Sequence, residues 1–196
     1  MNDLFAQHND ATPLTPEEQE GLRQTWITTR ADLNEAEQIN IDEAVAWTAK
    51  LGDREILTVE FVFDLHKRMF GDVWTWAGTR RNTGKNIGVD PPQIYIRLGG
   101  LLDDVRFWTQ ASVYPRDEIA VRLHHGLVFI HPFPNGNGRH ARLMADLAIG
   151  LLRGEPFTWG SGETVQDIGE LREHYIHALR RADDHDFEEL LIFARS

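Results

Sequence analysis

The sequence predicts an all-α bundle carrying one short β-hairpin flap. Three observations carry this. Apolar residues recur at i, i+4, i+8 in several separate stretches, as in Ile119, Leu123, Leu127 and Ile130. Strand-like alternation is almost absent. One stretch alone, residues 78–92, concentrates Gly78, Asn82, Gly84, Gly88, Pro91 and Pro92 and breaks the helical pattern. A chain of 196 residues is the size of one domain. Residues 1–14 are polar and read as an arm, leaving 15–196 as the domain.

The elements follow in order. Thr15-Pro16-Glu17-Glu18 has the form of a helix start, with a threonine cap, proline at the first helical position and glutamate three residues on. A second helix is expected from about Asn34 to Leu51, with Ile39, Ile41, Ala44, Val45 and Trp47 as its apolar residues. A third runs from about Thr58 to Met69, with Phe61, Leu65 and Met69 on one face, and ends at Gly71. In the 78–92 break, Ile87-Gly88-Val89 could extend as a strand, and the stretch reads as a loop or small hairpin. Helix returns from about Pro92 to Thr109 and from Pro115 to Ile130. His131-Pro132 stops that helix, because proline lacks an N–H and fixes its own φ. Another helix begins near Gly138, with Leu143, Leu147 and Leu151 along one side. Two more fill Thr164–Ala182 and Asp186–Ala194.

Composition narrows the function. There are no cysteines, which excludes disulfides, thiolate metal sites and cysteine nucleophiles. The net charge of −11 makes the chain a poor partner for nucleic acid, whose binding rests on neutralised phosphates. The N-terminal MNDLFAQHND lacks the pattern of a signal peptide, and no apolar run approaches the ~18–20 residues of a membrane span. A cytoplasmic protein is expected.

The chemistry concentrates in His131-Pro132-Phe133-Pro134-Asn135-Gly136-Asn137-Gly138-Arg139-His140-Ala141-Arg142. A long helix ends at a histidine, and a Gly-Asn-Gly turn then leads into a helix that opens with two arginines three residues apart. Glycines admit the positive φ that points successive N–H groups into one concavity. The new helix adds the partial positive charge of its N-terminus. Arg139 and Arg142 share a face of the first turns. The product is an anion pocket suited to a di- or triphosphate, placed beside His131. Adjacent histidines diverge by ~100° on a helix, so His124 and His131 share a face but His125 does not, and no metal cluster is expected there.

The string resembles the signature of the Fic family, His-x-Phe-x-(Asp/Glu)-Gly-Asn-Gly-Arg-x-x-Arg, with His131, Phe133, Asn135, Gly136, Asn137, Gly138, Arg139 and Arg142 in the matching places. Leu65–Phe70 with Trp74-Thr75-Trp76-Ala77-Gly78, and Tyr175–Leu179 with Asp186 and Phe187, extend the likeness. From about Ala11 to its end the chain resembles the bacterial Fic subgroup labelled mobile mystery protein B. The resemblance implies a Fic-fold bundle that transfers AMP from ATP to a Ser, Thr or Tyr hydroxyl of a target protein. It implies His131 as general base, suited by an ordinary pKa of ~6.5. It further implies Gly136-Asn137-Gly138 as phosphate cradle, Arg139 on the diphosphate and Arg142 on the γ-phosphate, with Mg²⁺ between the phosphates. Phe133 would fix the loop from within the core. Asn135 stands where the family has an acidic metal ligand. Asparagine offers Mg²⁺ an oxygen without charge, so weaker metal binding is expected.

By the same resemblance Asn86, Ile87, Gly88 and Val89 form a flap that registers an extended target segment by strand addition. Many relatives also carry an inhibitory helix, Ser/Thr-x-x-x-Glu-(Gly/Asn), whose glutamate pairs with the second motif arginine. The chain has no full match. Asp32, four residues after Thr28, and Glu20, in the segment opened by Thr15, are its candidate inhibitory acids. A separate antitoxin-like or regulatory protein is the other source of restraint. Asn135 leaves two alternatives open: a weak or silent module that binds nucleotide or a partner, and another phosphoryl or nucleotidyl transfer in the same pocket.

Overall fold

The computed structural model describes residues 13–52, 54–160 and 168–196, together with Leu4. Its helices are α1 (Pro16–Gln19), α2 (Arg30–Thr48), α3 (Val59–Phe70), α4 (Ile94–Ala111), α5 (Arg116–Ile130), α6 (Asn137–Leu151), α7 (Ile168–Asp183) and α8 (Glu188–Arg195), with a 3-10 turn at Pro91–Gln93 leading into α4. None of them is long and apolar enough to cross a membrane. Most of the polar arm, residues 1–14, and the expected start of the helix at Thr164 lie outside the described residues.

The caps explain where helices begin. At α1 the Thr15 hydroxyl accepts from the Glu18 N–H while Glu18 accepts from the Thr15 N–H, so two otherwise orphaned donors are satisfied. At α2 the same device is built from Thr29 and Asp32. α5 packs most extensively against α6, and α2 lies on α3. α5 buries the stripe read from sequence, Ile119, Leu123, Leu127 and Ile130. Two stripes differ from expectation. In α2 the buried face is Leu33, Ala36, Glu37, Asn40 and Ala44, while Ile39 and Val45 are exposed. In α6 the small residues Ala141, Ala145 and Ala148 with Met144 and Ile149 face the core, and Leu151 is exposed. Small side chains let α6 approach α5 closely, while Leu143 and Leu147 of the expected stripe are half-buried and pack against the edge of the core.

The hairpin is corrected. No strand occurs among the described residues beyond an isolated antiparallel bridge between Leu22 and Trp74. Residues 79–90 form an irregular loop. Its backbone pairs with the end of α5 and the loop after it instead of with itself: the Arg81 N–H donates to the Pro132 carbonyl at 3.0 Å and the Val89 N–H to the Ile130 carbonyl at 3.3 Å.

Candidate active site

His131 caps the C-terminus of α5 in the left-handed conformation, φ 53° and ψ 61°. A residue with a Cβ held there stores strain of about 1 kcal/mol or more. The following Pro132 cannot extend the helix, so the chain turns and the histidine is left at the elbow. The turn is held from inside. Phe133 is fully buried and stacks on His66, ring centroids 3.6 Å apart. Asn137 staples the loop with both ends of its amide: its Oδ1 accepts from the Phe133 N–H at 3.0 Å and its Nδ2 donates to the Phe133 carbonyl at 2.9 Å. Its side chain is thus structural, and only its backbone is left for a ligand.

His66 was not marked by sequence as a site residue. The Gly78 N–H donates to its Nδ1, so the proton sits on Nε2, which donates to the Asn135 carbonyl at 3.0 Å. Burial holds its pKa well below the ordinary value, with His140 adding to the effect. His140, also buried, bonds through Nε2 to the Val62 carbonyl and is pushed down to about 4 by burial. Neither of these two rings is a ligand group. They brace the loop between α3 and α6.

Gly136 caps α6 with φ 79°. A Cβ there would also stand 2.7 Å from the Phe70 ring, so the position requires glycine for both reasons. Arg139 and Arg142 extend from the first turns of α6. Cations at the positive end of a helix are unfavourable unless an anion joins them. One anion is already present: Glu37 on α2 holds Arg139 at 2.7 Å, with its side chain only 7% exposed. The Trp74 indole N–H donates to the other Glu37 oxygen at 2.7 Å. Arg142 lies over the Tyr175 ring at 4.5 Å, with Phe193 and Trp159 near. Tyr175 is fixed in turn through its hydroxyl, 3.0 Å from His124 Nε2. The Arg142 Nε is buried with no hydrogen-bond partner among the described residues, a donor available to a bound anion.

The two expected inhibitory acids lie elsewhere. Asp32 spends its carboxylate on the N-terminus of α2, accepting from the Thr28 and Thr29 N–H groups at 3.0 and 2.9 Å. Those bonds, the Thr28 one first, lower its pKa. Glu20 is the exposed C-cap of α1. Glu37 is the carboxylate that forms an ion pair with the motif among the described residues, and it pairs with the first arginine. A sequence signal existed, since Glu37 shares the helical face of Leu33, Ala36, Asn40 and Ala44, an acid in an apolar stripe.

His131 is buried, and its pKa falls to about 4, mostly through desolvation and then through the cation of Arg81. It is therefore a neutral imidazole at neutral pH, able to take a proton but a weaker base than an ordinary histidine. The Asn135 Oδ1 accepts from the Gly136 N–H at 2.6 Å. No group of three or more His, Cys, Asp or Glu suited to a metal occurs among the described residues. Above His131 passes the loop expected as the flap, with Asn86, Ile87 and Gly88 exposed and Val89 half-buried.

Residues 56–149 match the model of the Fic/DOC family. The chain is 27% identical over 163 residues to a protein adenylyltransferase Fic of Drosophila willistoni, covering 80% of this chain and 31% of the relative. It thus spans about a third of that relative's length. Among solved structures, the N-terminal Fic domain of a putative cell filamentation protein from Bartonella quintana superposes with a TM-score of 0.68 at 19% identity, covering 100% of this chain and 91% of that one. The BepC protein of Bartonella tribocorum, solved with bound AMPPNP, gives 0.65 at 18% identity over 92% of this chain and 97% of that one. These two likenesses show the fold.

Proposed function

With residues 56–149 a Fic/DOC family domain, we propose that the chain transfers AMP from ATP to a Ser, Thr or Tyr hydroxyl of a target protein. The observation that carries this is the juxtaposition of one neutral imidazole with an anion-binding helix start. His131 sits at the elbow after α5, and Gly136, Arg139 and Arg142 stand at the head of α6. The structural neighbour BepC was solved with bound AMPPNP, which supports nucleotide binding by this fold.

In the reaction the target hydroxyl gives its proton to the His131 ring as its oxygen bonds to the α-phosphorus. The bond from that phosphorus to the bridging oxygen breaks, and pyrophosphate leaves. Arg139 and the backbone N–H groups of residues 136–138 hold the diphosphate, and Arg142 holds the γ-phosphate. Asn135 brings no carboxylate to a magnesium ion, so more of the charge on the leaving group falls to the two arginines. The loop around Asn86–Val89 presents the target segment. A cysteine-free acidic chain fits the cytoplasm and a protein partner. Incubation with α-labelled ATP and cell lysate tests the proposal: label appears on protein with the native chain and disappears with His131→Ala. Equal labelling by both would remove His131 from the chemistry.

The pairing of Glu37 with Arg139 favours a second feature, a site held off by its own N-terminal acid. Glu37 occupies the guanidinium that the diphosphate needs, so nucleotide must displace it. A separate regulatory or antitoxin-like protein would act by moving α2 or by holding it in place.

A further inference from the structure

We propose that Arg81 is a positioning residue that clamps the loop of residues 83–89 onto the carboxyl end of α5, so that the target-facing loop and the His131 elbow hold their places together. The proposal rests on the reading of His131 as the base and of residues 86–89 as the target platform.

The geometry is unusual for a charged side chain. Arg81 is 1% exposed, and its guanidinium is spent on backbone carbonyls. Its Nε donates to the His131 carbonyl at 2.6 Å, its Nη1 to the Thr83 carbonyl at 2.8 Å, and its Nη2 to the carbonyls of Val89 and, at 3.5 Å, Ile130. Thr83 and Val89 bracket the loop. Ile130 and His131 end α5. One planar fork therefore joins both ends of the loop to the helix end that carries the base. The carbonyls at a helix C-terminus are partly negative and favour a cation. The Arg81 backbone N–H adds a bond to the Pro132 carbonyl, so the carbonyls of residues 130, 131 and 132 are all engaged by this residue. Lysine has a single point charge and cannot reproduce the fork.

The contact is close on the other side as well. Gly88 has φ 102°, and a Cβ built there would lie 2.6 Å from the His131 Cβ and 2.7 Å from the Arg81 Nη2. The loop thus runs directly against the base. Its base is pinned to α1 by Lys85, which pairs with Glu18 and donates to the Pro13 carbonyl at 2.7 Å. Burial lowers the Arg81 pKa, Asp90 and Glu18 offset part of that, and Arg80 adds to it. Lys85 joins Arg81 in disfavouring a charged His131.

The test compares the native chain with Arg81→Lys, Arg81→Met and Gly88→Ala. It reads amide hydrogen exchange over residues 83–89, the His131 titration by NMR, and the KM for target and for ATP. In Arg81→Met the loop amides should exchange roughly tenfold faster or more, as loss of a buried hydrogen-bond set allows. The His131 ring should titrate at higher pH, and KM should rise for target more than for ATP. Arg81→Lys should restore the titration, which needs charge, but not the slow exchange, which needs the fork. Should Arg81→Met not fold, Gly88→Ala loosens the same contact from the loop side and should speed the same amides. Unchanged exchange in whichever of these two variants folds would overturn the proposal, as would unchanged His131 titration in a folded Arg81→Met. Altered exchange and titration in the Arg81 variants, with no labelling of protein by the native chain, would leave the clamp standing and remove the transferase reading.

Discussion

Glu37→Gln separates the charge of the N-terminal acid from its packing. The glutamine keeps an amide oxygen for the Trp74 indole N–H, now held at 2.7 Å, but gives up the ion pair to Arg139. The glutamate is almost fully enclosed, whereas the Arg139 side chain is 39% exposed, so solvent screens one end of the pair. A charge-assisted pair in this setting is worth about 1–3 kcal/mol. If phosphate must displace it, its removal should tighten ATP binding by roughly 5–150-fold, since 1.4 kcal/mol is a factor of ten. Calorimetric titration with ATP, and with a non-hydrolysable analogue, reads this directly. Glu37→Ala should tighten binding similarly but also withdraw the acceptor from Trp74. That costs about 1–3 kcal/mol of stability, or a fall of several degrees in Tm for a chain this size. Unchanged ATP affinity in Glu37→Gln would refute the idea that this acid competes with nucleotide.

Three further outcomes follow. The buried histidines His66, His124, His131 and His140 all have pKa values lowered by burial, to about 3 for His124 and about 4 for His131 and His140. Between ~6.5 and those values the unfolded chain binds more protons, so stability should be level above pH 7 and fall on acidification. The slope approaches about 1.4 kcal/mol per pH unit per group, and denaturant melts at pH 7.5, 6.5 and 5.5 that superpose would contradict it. Asn135→Asp supplies the missing carboxylate and should increase magnesium-dependent activity, read as a lower magnesium concentration for half-maximal labelling; no change would mean that this side chain does not face the metal. Arg142→Ala should weaken ATP binding about tenfold while changing AMP little, and Tyr175→Leu should do the same more mildly by removing the ring beneath the guanidinium; equal losses for both nucleotides would reject a γ-phosphate role.

The helices of this chain were legible because their start and stop signals are local. Thr15 and Glu18 form the expected box, and Pro132 ends α5 where proline must. Likewise Gly136 was legible as a turn because positive φ is written into the residue type. The faces of α2 and α6 were harder. Exposed Ile39 and Leu151 advertise hydrophobicity, while the contacts that matter use alanines and one acid. The flap was misread as a hairpin because two short extended stretches look alike whether they pair with each other or, as here, with the end of a helix through Arg81. Nothing in the local sequence distinguishes a solvated arginine from one whose guanidinium is spent on carbonyls about fifty residues away. Spacing from a threonine singles out Asp32, whose carboxylate caps its own helix, whereas the Glu37 contact with Arg139 exists only because α2 folds against Trp74 and α6.

In the proposed reaction AMP is placed on protein by attack at the α-phosphorus, with His131 taking the proton. Two parallel reactions of the Glu37→Gln chain with lysate, one with ATP labelled at the α-phosphate and one at the γ-phosphate, measure this most directly. Label on protein from the α-position alone, abolished by adding His131→Ala, is the predicted result; label from the γ-position would show phosphoryl transfer in the same pocket and contradict the account.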